Sequence, residues 1–182
     1  MLIREVIELA VRLLDREDLL NAVASGEAQG EVATLLRCYH VVENEVALDY
    51  FPIFNTEKFA VKDGKLFFTQ FTLTPVNVKK VTNTSDMGVP FSVNSLYLSL
   101  PESCREVLVT YSYSPPKQEM DGIVPFPNTI SPRLLAFGVA SEYCIIARRF
   151  EEGKMWGERY RDALRAAGIL RRPLSVRSRR WV

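Results

Sequence analysis

The sequence of 182 residues contains one histidine and three cysteines, and it has neither a CxxC pair nor a glycine-rich phosphate loop. Cys38, Cys104 and Cys144 are odd in number and far apart in the chain. They therefore predict three reduced core cysteines rather than a disulfide framework. A metal site would have to combine these thiols, carboxylates and His40 at no recognisable spacing. We expect no metal and no cofactor.

Long apolar runs are also missing, and none approaches the roughly 20 residues that cross a bilayer. The first 14 residues, MLIREVIELAVRLL, are interrupted by charges and lack a small-residue cleavage site. They predict an amphipathic helix instead of a signal peptide. The 23 Lys and Arg residues nearly balance 22 Asp and Glu residues. This composition predicts a soluble globular protein with no membrane contact, and it argues against a surface built throughout for nucleic acid.

Catalytic groups are hard to assemble from this composition. His40 follows Tyr39 in a predicted helix and has no partnering nucleophile or acid near it in sequence, so we assign it no role. The KDGK stretch at residues 62–65 is explained by its turn. The sequence therefore predicts that the protein is not an enzyme. The clustered carboxylates are expected on solvated helix faces: Glu43, Glu45, Asp49, Glu151 and Glu152.

Residues 1–50 have helical periodicity. Apolar residues recur at three- and four-residue steps up to Asp15, which predicts a first helix that ends there. One or two further turns lead to Gly26. After Gly30 the stripe resumes in a second long helix, which stops before Phe51–Pro52 because proline disfavours a helical residue in front of it.

The period changes to two residues in the segment 51–116, which predicts an inserted, small antiparallel β-subdomain. Asp63–Gly64 stands between two runs of β-formers and indicates a tight hairpin. In the last run, Val107, Val109, Tyr111 and Tyr113 share one face. The polar loop TNTSDMG, residues 82–88, is expected to be exposed and to contact a neighbouring subunit or the next component of an assembly. Residues 117–130 are rich in proline and predict an extended loop.

Helices return over residues 131–168 and complete an α+β fold, because the two helical ends of the chain must pack together. Ser131 can cap a helix that Pro132 begins, and this helix is apolar on most of its circumference. It is predicted to be the most buried one. Gly168 is placed for a left-handed cap of the last helix. The expected core of the helical bundle includes Leu134, Phe137, Tyr143, Trp156 and Tyr160.

The last third of the chain concentrates arginine, and it ends in GILRRPLSVRSRRWV. Three interpretations are open: a solvated tail, a DNA-binding segment, and an extended basic tail, residues 169–182, that docks on a protein. The third is favoured because apolar anchors alternate with the arginines, and Arg and Trp are enriched at binding hot spots. The predicted docking residues are Arg171, Arg172, Leu174, Val176, Arg177, Arg179, Arg180 and Trp181.

The order of elements, with RLLAFGVASEYCIIARRFEEGKMWGERYRDAL near its end, resembles the head-to-tail adaptor, or connector, proteins of tailed bacteriophages. In that family a buried helix precedes a short acidic-aromatic helix with a tryptophan and a tyrosine four residues apart, here Trp156 and Tyr160. The β-region looks more like that of short-tailed phage adaptors. The resemblance covers most of the chain as architecture.

This resemblance implies a virion protein of the neck, made in the host cytoplasm. It implies a ring of about twelve copies beneath the portal protein, through which double-stranded DNA passes without sequence-specific binding. It also implies that the C-terminal tail docks on the portal and that a further tail or neck protein binds on the other side. A head-closure or tail-completion protein, and a DNA-binding module that uses the arginine-rich end, remain the alternatives.

Overall fold

The computed structural model describes residues 1–169 of the chain. The fold is mixed α+β, as predicted, with helices at both ends and strands between them. Contacts divide the chain into two compact units. A helical unit contains Met1–Val42 and the described residues from Gln118 onward, and a β unit contains Glu43–Lys117. The β unit is longer in sequence than the predicted insertion, residues 51–116. It also includes the end of a helix and the turn after it, because their contacts group these residues with the strands.

Helices α1 (Ile3–Leu13) and α2 (Leu20–Ser25) end where the sequence predicts. Asp15, with φ of 55°, turns the chain out of α1, and Gly26, with φ of 77°, caps α2. Helix α3 (Gly30–Glu45) continues into a π-helical turn over Val46–Tyr50 and stops before Pro52. The predicted second long helix is therefore confirmed, with an irregular last turn.

Helix α4 (Pro132–Ile146) begins at the predicted cap, where the Leu134 N–H donates to Ser131 Oγ at 3.2 Å. Helix α5 (Phe150–Ala166) follows, and Gly168 has the predicted positive φ of 71°. Helix α4 buries nine residues, as expected of a helix that is apolar around most of its circumference. Helix α5 buries a narrower stripe that includes Trp156, Tyr160 and Leu164.

The predicted loop, residues 117–130, has little regular structure and is tied to α1 by its backbone. The Ile3 N–H donates to Gly122 O at 3.0 Å, and the Arg4 N–H donates to Met120 O at 2.9 Å. Several of its side chains are buried, so the loop is part of the core of the helical unit. These side chains are Met120, Val124, Phe126 and Ile130.

The β unit contains two antiparallel sheets of three strands, ordered β1-β6-β3 and β2-β5-β4. The central strand β6 makes the longest ladders, pairing with β1 over seven residues and with β3 on its other side. The predicted shared face is confirmed, since Val107, Val109 and Tyr111 are fully buried. The strands are β1 (Phe54–Ala60), β2 (Lys65–Phe67), β3 (Pro75–Thr82), β4 (Ser92–Val93), β5 (Tyr97–Ser99) and β6 (Glu106–Tyr113).

The tight turn predicted at Asp63–Gly64 is confirmed. The prediction that the strands on either side of it pair with each other is wrong. Both residues have positive φ, 52° and 64°, and the Lys65 N–H donates to Lys62 O at 3.0 Å. Beyond the single Lys62–Lys65 bridge, however, β1 pairs with β6 and β2 pairs with β5. The turn chemistry fixes only four residues. The partner of β1 is instead β6, with which it pairs over Phe54–Ala60.

The predicted polar loop, residues 82–88, is exposed except at its first two residues, of which the second, Asn83, is half-buried. Thr82 is buried at the end of β3, and residues 84–88 are exposed. Asn83 Oδ1 accepts hydrogen bonds from the N–H groups of Ser85 and Met87, both at 2.9 Å. The Asn83 side chain therefore accepts hydrogen bonds from two backbone N–H groups of the loop, and these bonds determine its shape.

Candidate functional site

The α4–α5 hairpin is the most closely packed part of the helical unit. A Cβ on Gly138 would lie 2.7 Å from Val42 Cγ1 and 3.2 Å from Tyr160 Cε2, so no larger side chain fits there. Ser141 Oγ donates to Gly153 O at 2.9 Å. Small residues thus let α4 approach both α3 and α5 closely.

The five core residues predicted for the bundle are all buried, with exposed fractions of 2–8%. Phe137 and Trp156 stack with ring centroids 5.8 Å apart and planes inclined by 20°. The Arg159 guanidinium lies 5.0 Å from the Trp156 ring centroid on α5 itself. These side chains form the apolar centre of the hairpin, and Tyr143 has a further, polar role.

The Tyr143 hydroxyl joins three segments that are far apart in sequence. It accepts from Arg16 Nη1 at 3.0 Å and donates to Glu31 Oε2 at 3.0 Å. Arg16 also contacts Glu31 at 2.5 Å and forms a two-point pair with Asp18. Burial and then the Glu31 carboxylate raise the pKa of Tyr143. Hydrogen bonds to Asp18 and Glu31 raise the pKa of Arg16, so the guanidinium stays charged.

A second network, in the β unit, is centred on the Glu57 carboxylate. Oε1 accepts from the Tyr111 hydroxyl and from Asn55 Nδ2, and Oε2 accepts from the N–H and Oγ1 of Thr72 at 3.2 and 3.1 Å. Burial alone would raise the pKa of Glu57, but these hydrogen bonds lower it. Burial and the bond to Glu57 raise the pKa of Tyr111. The carboxylate thereby fastens the Thr72 segment to β1.

Sequence periodicity gave no sign of either network. Both use polar residues that lie on predicted helix ends or strands, where single polar side chains are ordinary. The carboxylates and hydroxyls in them already hold several hydrogen bonds each. Such groups stabilise packing, and they do not present a poised acid or base to solvent.

Two of the three cysteines are buried in surroundings that disfavour their thiolate form. Burial raises the pKa of Cys38 to about 12 and raises that of Cys144, whereas a nucleophilic thiol needs a lowered pKa. Both are free cysteines of the core, as expected. Cys104 is also free but only half-buried, because it closes a surface turn in which its N–H donates to Pro101 O at 3.0 Å. Cys104 packs against the buried cluster of the β unit, so the expectation of three core cysteines holds only in part for this one.

His40 is buried, at 8% exposure, with its ring edge-on to Tyr39 at a centroid distance of 5.5 Å. Glu43 was expected on a solvated face, but it is 1% exposed, and that prediction is wrong. Glu43 lies four residues after Tyr39 and three before Val46, on the apolar stripe of α3. The same spacing could have identified it as buried.

The other predicted surface carboxylates differ in exposure. Asp49 and Glu151 are exposed, whereas Glu45 and Glu152 are half-buried. Glu152 pairs with Arg149 at the start of α5. Within residues 1–169, no group of three His, Cys, Asp or Glu side chains is arranged to hold a metal ion.

The last turn of α4 and the start of α5 form an apolar corner, defined here as Ile145, Ile146 and Phe150. Their exposed fractions are 47%, 58% and 64%. Arg148, with φ of 60°, turns the chain between the two helices. The apolar circumference of α4 predicted the most buried helix, and its buried residues end at Cys144. The three residues lie within six positions of one another in the chain, on either side of the turn. A contiguous exposed apolar patch is typical of a surface that a partner covers.

The residues predicted to dock on a partner lie outside the described part of the chain. They are Arg171, Arg172, Leu174, Val176, Arg177, Arg179, Arg180 and Trp181. The interpretation of this segment stays a prediction.

Comparison with known proteins adds no identification. No family model matches the sequence, and no curated protein is significantly similar to it. Among residues 1–169, no helix combines the length and apolarity needed to cross a membrane.

Proposed function

We propose that the chain is a structural subunit of a tailed-phage neck, a head-to-tail adaptor that forms a ring between portal and tail. One observation carries this proposal. Helices from both ends of the chain form one unit around the buried α4 and the amphipathic α5, and strands lie between them in sequence. This order of elements is the one through which the sequence resembles the adaptor family.

The chemistry of the buried polar groups supports a structural role. The Tyr143 and Tyr111 hydroxyls are both hydrogen-bonded to carboxylates, and the buried thiols have raised pKa values. None of these groups is poised to attack or to transfer a proton. They fit a subunit whose task is to hold its shape while partners bind it.

The proposed partners are the portal protein, neighbouring copies in a ring of about twelve, and a further neck or tail protein. The apolar corner gives the helical unit a surface that a protein partner can cover. Double-stranded DNA passes through the ring without sequence-specific contacts. The tail, residues 169–182, docks on the portal, where arginines pair with carboxylates and Trp181 fills a pocket. Many copies around the ring strengthen a modest contact through avidity.

A chain shortened to end at Gly168 tests the docking step. It should fold with nearly unchanged thermal stability and fail to attach to heads that carry portal, as measured by co-sedimentation. Trp181→Ala and Arg179→Glu should each give a milder defect, and Met155→Ala, on the exposed face of α5, is the matched control. Attachment of the shortened chain at wild-type efficiency would contradict portal docking.

The alternatives differ in what the chain binds. A head-closure or tail-completion protein would join the same neck without contacting isolated portal. A DNA-binding module would bind duplex DNA with an affinity that falls steeply with salt, whereas docking in a protein groove keeps much of its strength. Titration against both targets at two salt concentrations separates the alternatives.

A further inference from the structure

The outer edge of β1 is the longest strand edge in the β unit that is left open. Strand β1 lies at the end of the β1-β6-β3 sheet and pairs with β6 without a register shift. Among residues 1–169, no backbone hydrogen bond from another segment reaches its outer side. Phe54, Thr56, Lys58 and Ala60 are all exposed.

The direction of the backbone groups follows from the ends of the ladder. The Tyr113 N–H donates to Ile53 O at 3.3 Å, and the Val61 N–H donates to Arg105 O at 2.8 Å. In an antiparallel pair the bonded residues alternate, so the odd residues of β1 bond to β6. The even residues, from Phe54 to Ala60, therefore direct their N–H and C=O groups outward.

The other edges of the β unit are protected. Strand β3 begins with Pro75 and has irregularities between Pro75 and Asn77 and between Val78 and Lys80. Its last residues bond to the chain that folds back, where the Val89 N–H donates to Val81 O at 2.9 Å. Strands β2 and β4 have only three and two residues. Proline, bulges and short length are three devices that prevent unwanted strand pairing, and β1 has none of these three. Its exposed Lys58 is a charge of the kind that also guards edges, so a partner strand must accommodate that charge.

We propose that the β1 edge binds the same edge of a second copy, in an antiparallel pair with its twofold axis at Thr56. This inference concerns the free protein, and it goes beyond the proposed ring. The charges on β1 select both the partner and the register. Only pairings that match even residues with even residues satisfy the outward backbone groups. Three such registers keep most of the strand paired, with axes at Thr56, Glu57 or Lys58.

Two of these registers bring like charges together. An axis at Glu57 places this carboxylate opposite its own copy, and an axis at Lys58 does the same for the ammonium group, which is destabilising. An axis at Thr56 places Phe54 opposite Lys58 of the second copy and Asn55 opposite Glu57. In this register no charge faces its like. Lys79 already lies over the Phe54 ring, with its Nζ 4.3 Å from the centroid, and Lys58 pairs with Glu106 at 2.7 Å. The stem of Lys58 from the second copy can cover part of the ring that is still exposed, since Phe54 is 46% exposed.

The pair would be weak. Three bonded residue pairs supply about six backbone hydrogen bonds, and the contact is at the low end of specific interfaces. The Thr56 N–H already bonds to Asn55 Oδ1 at 3.0 Å, so pairing exchanges that bond instead of adding one. We expect dimers at protein concentrations on the order of 0.1 mM or above.

Proline substitutions on the full-length chain test the edge. Thr56→Pro removes an outward N–H and leaves the backbone bonds to β6 intact, while it loses the side-chain hydrogen bond between Thr56 Oγ1 and Thr110 Oγ1. It should weaken dimerisation at least tenfold in sedimentation equilibrium. Ala60→Pro is the matched control, because Ala60 would face Pro52 at the end of the ladder, and it should dimerise like the wild type. A wild-type chain that stays monomeric at about 1 mM, or equal effects of both prolines, would overturn the proposal.

Disulfide trapping tests the register without relying on proline. In a Cys104→Ser background, Thr56→Cys places two thiols on the twofold axis, with Cα atoms about 5.5 Å apart, within the range of a disulfide. It should cross-link at least tenfold faster than Ala60→Cys under oxidised glutathione, a control that leaves the charges of β1 unchanged. Equal rates, or faster trapping at Ala60, would contradict the Thr56 register.

These outcomes are separate from those of the proposed function. Dimers that form and trap at Thr56 support the edge pairing even if the chain does not bind portal, and that failure would count only against the adaptor role. A chain that binds portal but never pairs through β1 would overturn the edge pairing alone.

Discussion

In each of the two units the hydroxyl of a buried tyrosine donates a hydrogen bond to a carboxylate, but the other groups that contact the carboxylate differ. In the helical unit, Tyr143 donates to Glu31, which also contacts the Arg16 guanidinium. In the β unit, Tyr111 donates to Glu57, whose other hydrogen bonds come from Asn55 and Thr72. The first network balances its charge with an arginine. The second stabilises a carboxylate by neutral donors.

This difference indicates where each unit is sensitive. Glu31 is half exposed, and Arg16 keeps Asp18 as a second partner if Glu31 is lost. Glu57 accepts from both Tyr111 and Thr72, so its removal leaves several donors without an acceptor. The helical unit should depend mainly on its apolar centre, and the β unit on one carboxylate.

The largest effect is expected in the apolar centre of the helical unit. Trp156→Ala removes a ring that is 7% exposed and stacked on Phe137, and it should lower the free energy of unfolding by about 3–5 kcal/mol. Hydrogen exchange followed by mass spectrometry should show lost protection in α4 and α5, with Trp156→Phe as the milder control. Equal loss of protection in β1 and β6 would show that the two units do not open separately.

A smaller effect should separate the two networks. Glu57→Gln replaces one carboxylate oxygen by an amide N–H₂, so one oxygen is left where four donors converge. It should lower the free energy of unfolding of the β unit by about 1–3 kcal/mol. Glu31→Gln, the matched change in the helical unit, should cost less than about 1 kcal/mol, because exposed ion pairs contribute little. Protection of β6 and of α4 against exchange measures each. A larger loss in Glu31→Gln would reverse the comparison.

The smallest effect is the dependence on pH. The folded pKa of Glu57 is lowered from its ordinary value of 4.5, so its stabilisation is complete above that value. The stabilisation is lost as pH falls through the folded pKa. The difference in unfolding free energy between wild type and Glu57→Gln should therefore be constant near neutral pH and shrink below about pH 4.5. A difference that widens in acid would contradict a lowered pKa.

The helical elements could be predicted well because their signals are local. The Ser131 cap, the left-handed Gly26 and Gly168, and the apolar stripes lie within a few residues of the structure they specify. The burial of Glu43 was not predicted, because its charge indicated exposure and its position on the apolar stripe of α3 was not used. The exposure of the last turn of α4 was not predicted, because composition alone does not show where a neighbouring helix ends.

Strand pairing was harder to predict because it depends on residues far apart. The Asp63–Gly64 turn was recognised, yet β1 joins β6 about fifty residues later, and β2 joins β5 in another sheet. The Glu57 and Tyr143 networks have the same character. They unite side chains through tertiary packing, and no spacing in the sequence marks them.

The central claim is that this chain forms an adaptor ring on a portal. Electron micrographs of the purified full-length protein, mixed with heads that carry portal, test it most directly. The account predicts class averages with a ring of about twelve copies at the portal vertex, and no such ring on heads without portal. Portal vertices that stay bare at saturating protein, or protein bound only along free DNA, would contradict it.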